Sequence, residues 1–159
     1  GNHYTDSERS QPGGAPVVAA TPWVGFGMTI CYDLRFPHLY RGLAQAGATM
    51  LAIPSAFTRQ TGAAHWDVLL RARAIECGAF VLAPAQCGTH DGGRGTWGHS
   101  MIVGPWGEVL AAAGEEPGII LAELDMAAAI AARRMIPALR HDRPFELPAA
   151  AAVGDIEAA

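Results

Sequence analysis

The stretch Val24-Gly25-Phe26-Gly27-Met28-Thr29-Ile30-Cys31-Tyr32-Asp33-Leu34-Arg35-Phe36-Pro37 decides how this chain reads. Its first seven residues form an apolar, β-rich run, and the run stops at Cys31, where a polar turn begins. Pro37 closes the turn and suits an early helical position, because its fixed φ matches the helix and its missing N–H would be unpaired there anyway. A strand that runs straight into a turn and then a helix is the start of a βαβ unit. A thiol at such a strand end stands clear of the sheet, where a reacting carbonyl can reach it.

The pattern continues in both directions. Upstream, Val17–Thr21 is a second β-rich segment, separated by Pro22. Downstream, 37–46 reads as a helix with Gly47 just past its end, and Thr49–Pro54 as a short buried strand. Apolar residues at 66, 69, 70, 74 and 77 give Ala64–Cys77 a helical stripe closed by Gly78, and Ala79–Ala85 is a continuous apolar strand. His99–Val103 and Gly107–Ala112 predict a β-hairpin around Pro105-Trp106-Gly107. Ile119–Leu124 is expected as a last strand and Met126–Arg134 as a helix. The fold class is α/β, a layered α+β arrangement with parallel βαβ units and an added antiparallel hairpin. The Ala-rich tail 149–159 is expected to fray and 1–148 to form one domain.

Composition narrows the function classes. Of 159 residues, 50% are hydrophobic and 16% charged, which fits a packed domain and not a disordered one. The net charge is −4, and all 11 basic residues are arginines, scattered without a run that could track phosphates, so no nucleic-acid partner is expected. No 18-residue apolar stretch exists, and Gly1–Gly14 has neither the basic nor the apolar region of a signal peptide, so no membrane partner is expected. Cys31, Cys77 and Cys87 form no CxxC and no Cys/His ligand spacing. They fit reduced thiols in the cytoplasm better than a disulfide framework.

Three groups of residues carry possible chemistry. Cys31 is either a small buried hydrophobe or a nucleophile; its place at the strand end, before a helix whose dipole and N–H groups favour a thiolate, supports the second. Tyr32 supplies the adjacent N–H for an oxyanion. Cys77 and Cys87 read as structural. His65, His90 and His99 are candidate bases for a Cys–His pair, and the spacing does not choose among them. Ser55-Ala56-Phe57-Thr58 follows a strand on the side where parallel sheets bind ligands, and is equally readable as a plain turn. Arg73 and Glu76 read as a structural i, i+3 pair, and Trp97, Met101 and Trp106 as core.

Taken together, several motifs resemble the nitrilase superfamily of carbon–nitrogen hydrolases. They are Gly27–Pro37, Pro54–Thr58, Gly62-Ala63-Ala64-His65-Trp66, Leu70–Glu76, Gly98–Val103 and Pro105-Trp106-Gly107, in order, within roughly residues 4–145. Ala56-Phe57-Thr58 with His65-Trp66 looks most like the branch containing deaminated glutathione amidase and omega-amidase. The resemblance implies an αββα sandwich, a homodimer, a small-molecule amide substrate and a Glu–Lys–Cys triad acting through a thioester, with no metal and no organic cofactor. It makes Cys31 the nucleophile and Tyr32 its backbone oxyanion donor, replacing the Cys–His pair. It implies substrate-binding positions at Ser55, Ala56, Phe57, Thr58, His65 and Trp66. Asp6, one methylene shorter, stands where the family commonly has a second Glu. The family's first Glu and its Lys fall before Gly1, and the chain contains no lysine at all. The expectation is the C-terminal part, somewhat over half, of such an enzyme, with an incomplete sandwich and little activity by itself. A non-catalytic subunit or interaction module is the alternative.

Overall fold

The computed structural model describes residue 11 and residues 13–146. The tail 149–159 and Asp6 lie outside the described residues. Eight strands and three α-helices follow one another as β1 (Val17–Ala20), β2 (Gly25–Met28), α1 (Pro37–Gln45), β3 (Ala48–Ala52), α2 (Arg59–Cys77), β4 (Phe80–Ala83), β5 (Cys87–Thr89), β6 (Gly95–Trp97), β7 (Met101–Val103), β8 (Val109–Ala112) and α3 (Met126–Met135). Short 3-10 turns occupy Cys31–Arg35 and Ala138–Arg140.

Six strands form one sheet in the order β1-β2-β3-β4-β7-β8. The three central strands β2, β3 and β4 run parallel, joined by α1 and α2, whereas β1, β7 and β8 are antiparallel to their neighbours. This is the mixed arrangement expected from the sequence. The local punctuation explains the boundaries. Pro37 opens α1, and Thr58 caps α2 by accepting a hydrogen bond from the Thr61 N–H. Gly78 closes α2 in the left-handed region at φ 52°, which glycine adopts without steric cost. Gly25 is needed for another reason: a Cβ there would lie 2.5 Å from the Gly47 carbonyl oxygen.

Both helices α1 and α2 pack on one face of the sheet. Leu51, Val81 and Val103 face them with no exposure, together with Leu34, Tyr40, Leu43, Trp66 and Leu70 from the turn and helices. Full burial of such side chains contributes about 1.5–3 kcal/mol each before chain entropy is counted. The opposite face carries Phe26, Met28, Met50, Ala52, Leu82 and Ile102, placed there by the alternation along the paired strands. It is apolar yet only partly covered, and Met28 and the neighbouring Trp23 are largely exposed. The described residues thus form one α-layer and one β-layer of a sandwich whose second β-face is only partly covered.

Three expectations need correction. Ile119–Leu124 is extended but pairs with no strand, and Ile119 and Leu121 are 90% and 86% exposed, because no neighbour among the described residues takes up its backbone groups. No strand was expected between Ala85 and His99, yet β5 and β6 pair there as a small hairpin that three-residue strands made unreadable. Trp106, expected as core, is 55% exposed. The edges of the six-stranded sheet are the antiparallel strands β1 and β8. No helix among the described residues is long and apolar enough to cross a membrane.

Burial of two ionisable groups makes the fold sensitive to alkali. Desolvation pushes the Cys77 thiol up from its ordinary 9.0 to about 11, and holds the Tyr40 phenol protonated well above its ordinary value. Above pH 9 the unfolded chain releases these protons while the folded chain keeps them, so stability falls as pH rises. Denaturant titration between pH 8 and 11 is expected to show a loss on the order of 2 kcal/mol. Cys77→Ala should flatten that slope.

Candidate active site

Cys31 has a backbone conformation that side chains rarely adopt, with φ at +47°. The strain is held by its own N–H, which donates to the Pro54 carbonyl at 2.9 Å, while Thr29 N–H one step earlier donates to the Ala52 carbonyl at 3.1 Å. The chain therefore stays zipped to β3 until Cys31 and then turns sharply away. The first bond of the 3-10 turn runs from Asp33 N–H to Ile30 O at 2.9 Å. Tyr32 N–H, one residue earlier, thus has no acceptor inside the turn. The Asp33 carboxylate accepts from Ile30 N–H at 2.9 Å and so braces the entry. Helix α1 starts at Pro37, where the sequence placed it, and the intervening turn provides the free N–H beside the thiol.

The carboxyl ends of β2, β3 and β4 meet here, which is where open parallel sheets bind ligands. They enclose a cleft of about 490 Å³ lined by Cys31, Ser55, Ala56, Ala85, Gln86 and Ser100. Its volume suits a small organic molecule. Ser55 is buried and donates its hydroxyl to Ile53 O at 3.1 Å, so it builds the wall. The Ala56 carbonyl accepts from Arg94 at 3.1 Å. Phe57 lies against Trp66 with ring centroids 5.0 Å apart. Thr58 spends its hydroxyl on the α2 cap, and Trp66 is fully buried with its indole N–H on the His99 carbonyl at 2.7 Å. Of the expected substrate positions, Ser55 and Ala56 line the cleft directly, whereas Thr58 and Trp66 hold the wall from behind.

The histidines separate on geometry. His99 donates Nδ1–H to Trp97 O at 2.7 Å and stacks on that indole at 4.1 Å. His90 Nε2 pairs with Thr96 Oγ1 at 2.7 Å. His65 Nδ1 faces the Arg35 guanidinium at 3.4 and 3.5 Å. No hydrogen bond joins Cys31 to a histidine among the described residues, so the structure gives no support to a Cys–His pair. No group of three or more metal-binding side chains occurs among them either.

Arg35 is the functional candidate that the sequence reading passed over. Its guanidinium lies 5.5 Å from the Tyr32 ring centroid and 5.4 Å from that of Phe57, one turn beyond the thiol. No carboxylate pairs with it among the described residues, unlike Arg41, Arg59, Arg71 and Arg73. Its place four residues after Cys31, with neighbouring acid Asp33 committed to the backbone, was the available signal.

The carbon–nitrogen hydrolase family model matches residues 1–134. The chain is 50% identical over 141 residues to deaminated glutathione amidase of Mus musculus, covering 87% of this chain and 43% of that protein. The crystal structure of the Caenorhabditis elegans NitFhit protein superposes with a TM-score of 0.84 at 43% identity, over 89% of this chain and 35% of that one. A variant of the amidase from Nesterenkonia sp. AN1 carries the acetamide moiety of fluoroacetamide on its active-site cysteine; it superposes at TM-score 0.66 and 33% identity, over 79% of this chain and 47% of that one. The chain spans less than half of each of these three. With six motifs in order, a strained thiol at the strand ends and a match over most of its length, this chain belongs to the carbon–nitrogen hydrolase family.

Proposed function

We propose that Cys31 is the nucleophile of an amidase that cleaves small linear amides of the deaminated-glutathione type. The observation that carries the reading is the bend: a thiol at positive φ, at the mouth of a 490 Å³ cleft, beside an N–H without an acceptor in its turn. The sulfur attacks the amide carbon, the carbonyl oxygen gains negative charge, and Tyr32 N–H is placed to receive it. The C–N bond then breaks, ammonia or an amine leaves with the proton it needs, and water hydrolyses the thioester. The covalent cysteine adduct of the Nesterenkonia amidase supports a sulfur nucleophile. Arg35, with His65 beside it, offers a cation for a carboxylate at the far end of the amide.

The lysine of the family triad has no counterpart in the chain, and among the described residues no carboxylate is hydrogen-bonded to Cys31. No lysine exists in the chain, Asp33 is committed to Ile30 N–H, and Glu76 pairs with Arg73. We therefore propose that the 159-residue polypeptide alone turns over very slowly, and that the working enzyme is a cytoplasmic homodimer with those residues supplied. The missing lysine also favours a second reading, a non-catalytic subunit.

Three measurements test this. Fluoroacetamide is expected to label Cys31, detected by peptide mass spectrometry, and to spare Cys77, whose thiol is buried and held protonated; label on Cys77 or Cys87 alone would refute the nucleophile. Release of ammonia or amine from deaminated glutathione by the isolated chain is expected to stay at background, and turnover abolished by Cys31→Ala would disprove its inactivity. A carboxylate-bearing amide should slow alkylation of Cys31. Arg35→Gln should weaken that protection about tenfold, the equivalent of roughly 1.4 kcal/mol; equal protection in both proteins would remove Arg35 from the site.

A further inference from the structure

We propose that Arg73 is a positioning residue that sets the aim of the Cys31–Tyr32 bend; this rests on the nucleophile reading above. Arg73 sits on α2 with its side chain only 5% exposed. Two of its nitrogens, Nε and Nη2, donate to a single carbonyl, Leu34 O, at 3.1 and 2.9 Å. The third, Nη1, reaches Glu76 at 3.0 Å. Burying a guanidinium costs several kcal/mol, and its only carboxylate partner is half exposed, so the ion pair is a poor reason for the burial. The Leu34 carbonyl is a better one. It lies in the five-residue turn that starts at Cys31, and it is the backbone group by which α2 grips that turn.

The upstream side of the bend is gripped as well. Thr29 donates its one hydroxyl hydrogen to Ala52 O at 2.8 Å, so the buried Tyr40 must be the donor in its 2.7 Å contact with Thr29 Oγ1. Arg73 lies over the Tyr40 ring at 5.6 Å. One buried side chain therefore touches the element that follows the thiol and the ring that anchors the element before it. The strained φ at Cys31 needs such a frame, because a residue in that region relaxes unless its surroundings prevent it. What the frame fixes is the direction of Tyr32 N–H relative to the sulfur. Arg73 touches no substrate.

Two reactions of the same thiol separate aim from mere folding. In acylation by p-nitrophenyl acetate the sulfur bonds to the carbonyl carbon through an oxyanion, and p-nitrophenolate leaves with the electron pair. In alkylation by iodoacetamide a carbon–sulfur bond replaces the carbon–iodine bond, iodide leaves, and no oxyanion forms. Both rates are read at Cys31 by peptide mass spectrometry on the 159-residue chain, in protein retaining the parent circular dichroism spectrum. Arg73→Lys keeps the charge but not the two-pronged donor, and is expected to lower the acylation-to-alkylation ratio about tenfold or more. Arg73→Gln should do the same and carries the test should the lysine variant not fold. Glu76→Gln leaves the Leu34 contacts intact and should change the ratio by less than about twofold. An unchanged ratio in the Arg73 variants, or an equal fall in Glu76→Gln, would overturn the assignment while leaving the nucleophile in place. Absence of acyl-Cys31 in the unsubstituted chain would overturn the nucleophile reading itself.

Discussion

The hydrogen bond from Cys31 N–H to the Pro54 carbonyl, 2.9 Å long, is where sheet, turn and site meet. It is the last rung between β2 and the extension of β3, and it forces the chain into a left-handed residue at once. A non-glycine residue there costs about 1–3 kcal/mol, a sum the surrounding core must offset. The benefit is geometric. The thiol leaves the sheet plane, the next N–H is left without a partner, and the strand ends of β3 and β4 supply the cleft wall. Remove the rung, and the same residues would continue as an ordinary strand with the sulfur turned into a neighbour.

What supports that rung is an asymmetric core. One sheet face is sealed by α1 and α2, and the site's frame is built on that side: Tyr40, Trp66 and Arg73 are all buried there. The other face carries part-exposed apolar side chains beside the buried Phe80, met by the extended chain at 119–120 and by Met126 at the start of α3. An uncovered apolar face of this kind is unusual on a monomer. It agrees with a chain that spans less than half the length of its mouse relative. The half-sandwich thus holds the Cys31 bend from its covered side alone.

Much of this was legible beforehand, for identifiable reasons. The parallel units could be read because β2, β3 and β4 are continuous apolar runs punctuated by Pro37, Gly47 and Gly78. Cys31 stood out because an apolar run stopped at it. The hairpin β5–β6 was hidden because three-residue strands carry no periodicity, and Trp97, read as plain core, in fact packs against Gly62 so closely that a Cβ there would sit 2.1 Å from its ring. Ile119–Leu124 misled for the opposite reason: it has a strand's composition but no neighbour to pair with. Arg73 and Glu76 were read correctly as a pair. Their more consequential contact, to a backbone carbonyl thirty-nine residues away, leaves no trace in composition.

By itself the sequence determined the class of fold, the place of Cys31 at the end of an apolar run and the absence of a lysine. These follow from local chemistry, since periodicity, breakers and residue type act over a few positions. Only the tertiary structure decided that Cys31 sits at positive φ, that His65, His90 and His99 serve other partners, and that Arg35 meets His65 and the Tyr32 and Phe57 rings with no carboxylate partner among the described residues. Those facts depend on which distant carbonyls and rings the fold brings within about 3–6 Å, the range over which hydrogen bonds and cation–π contacts act.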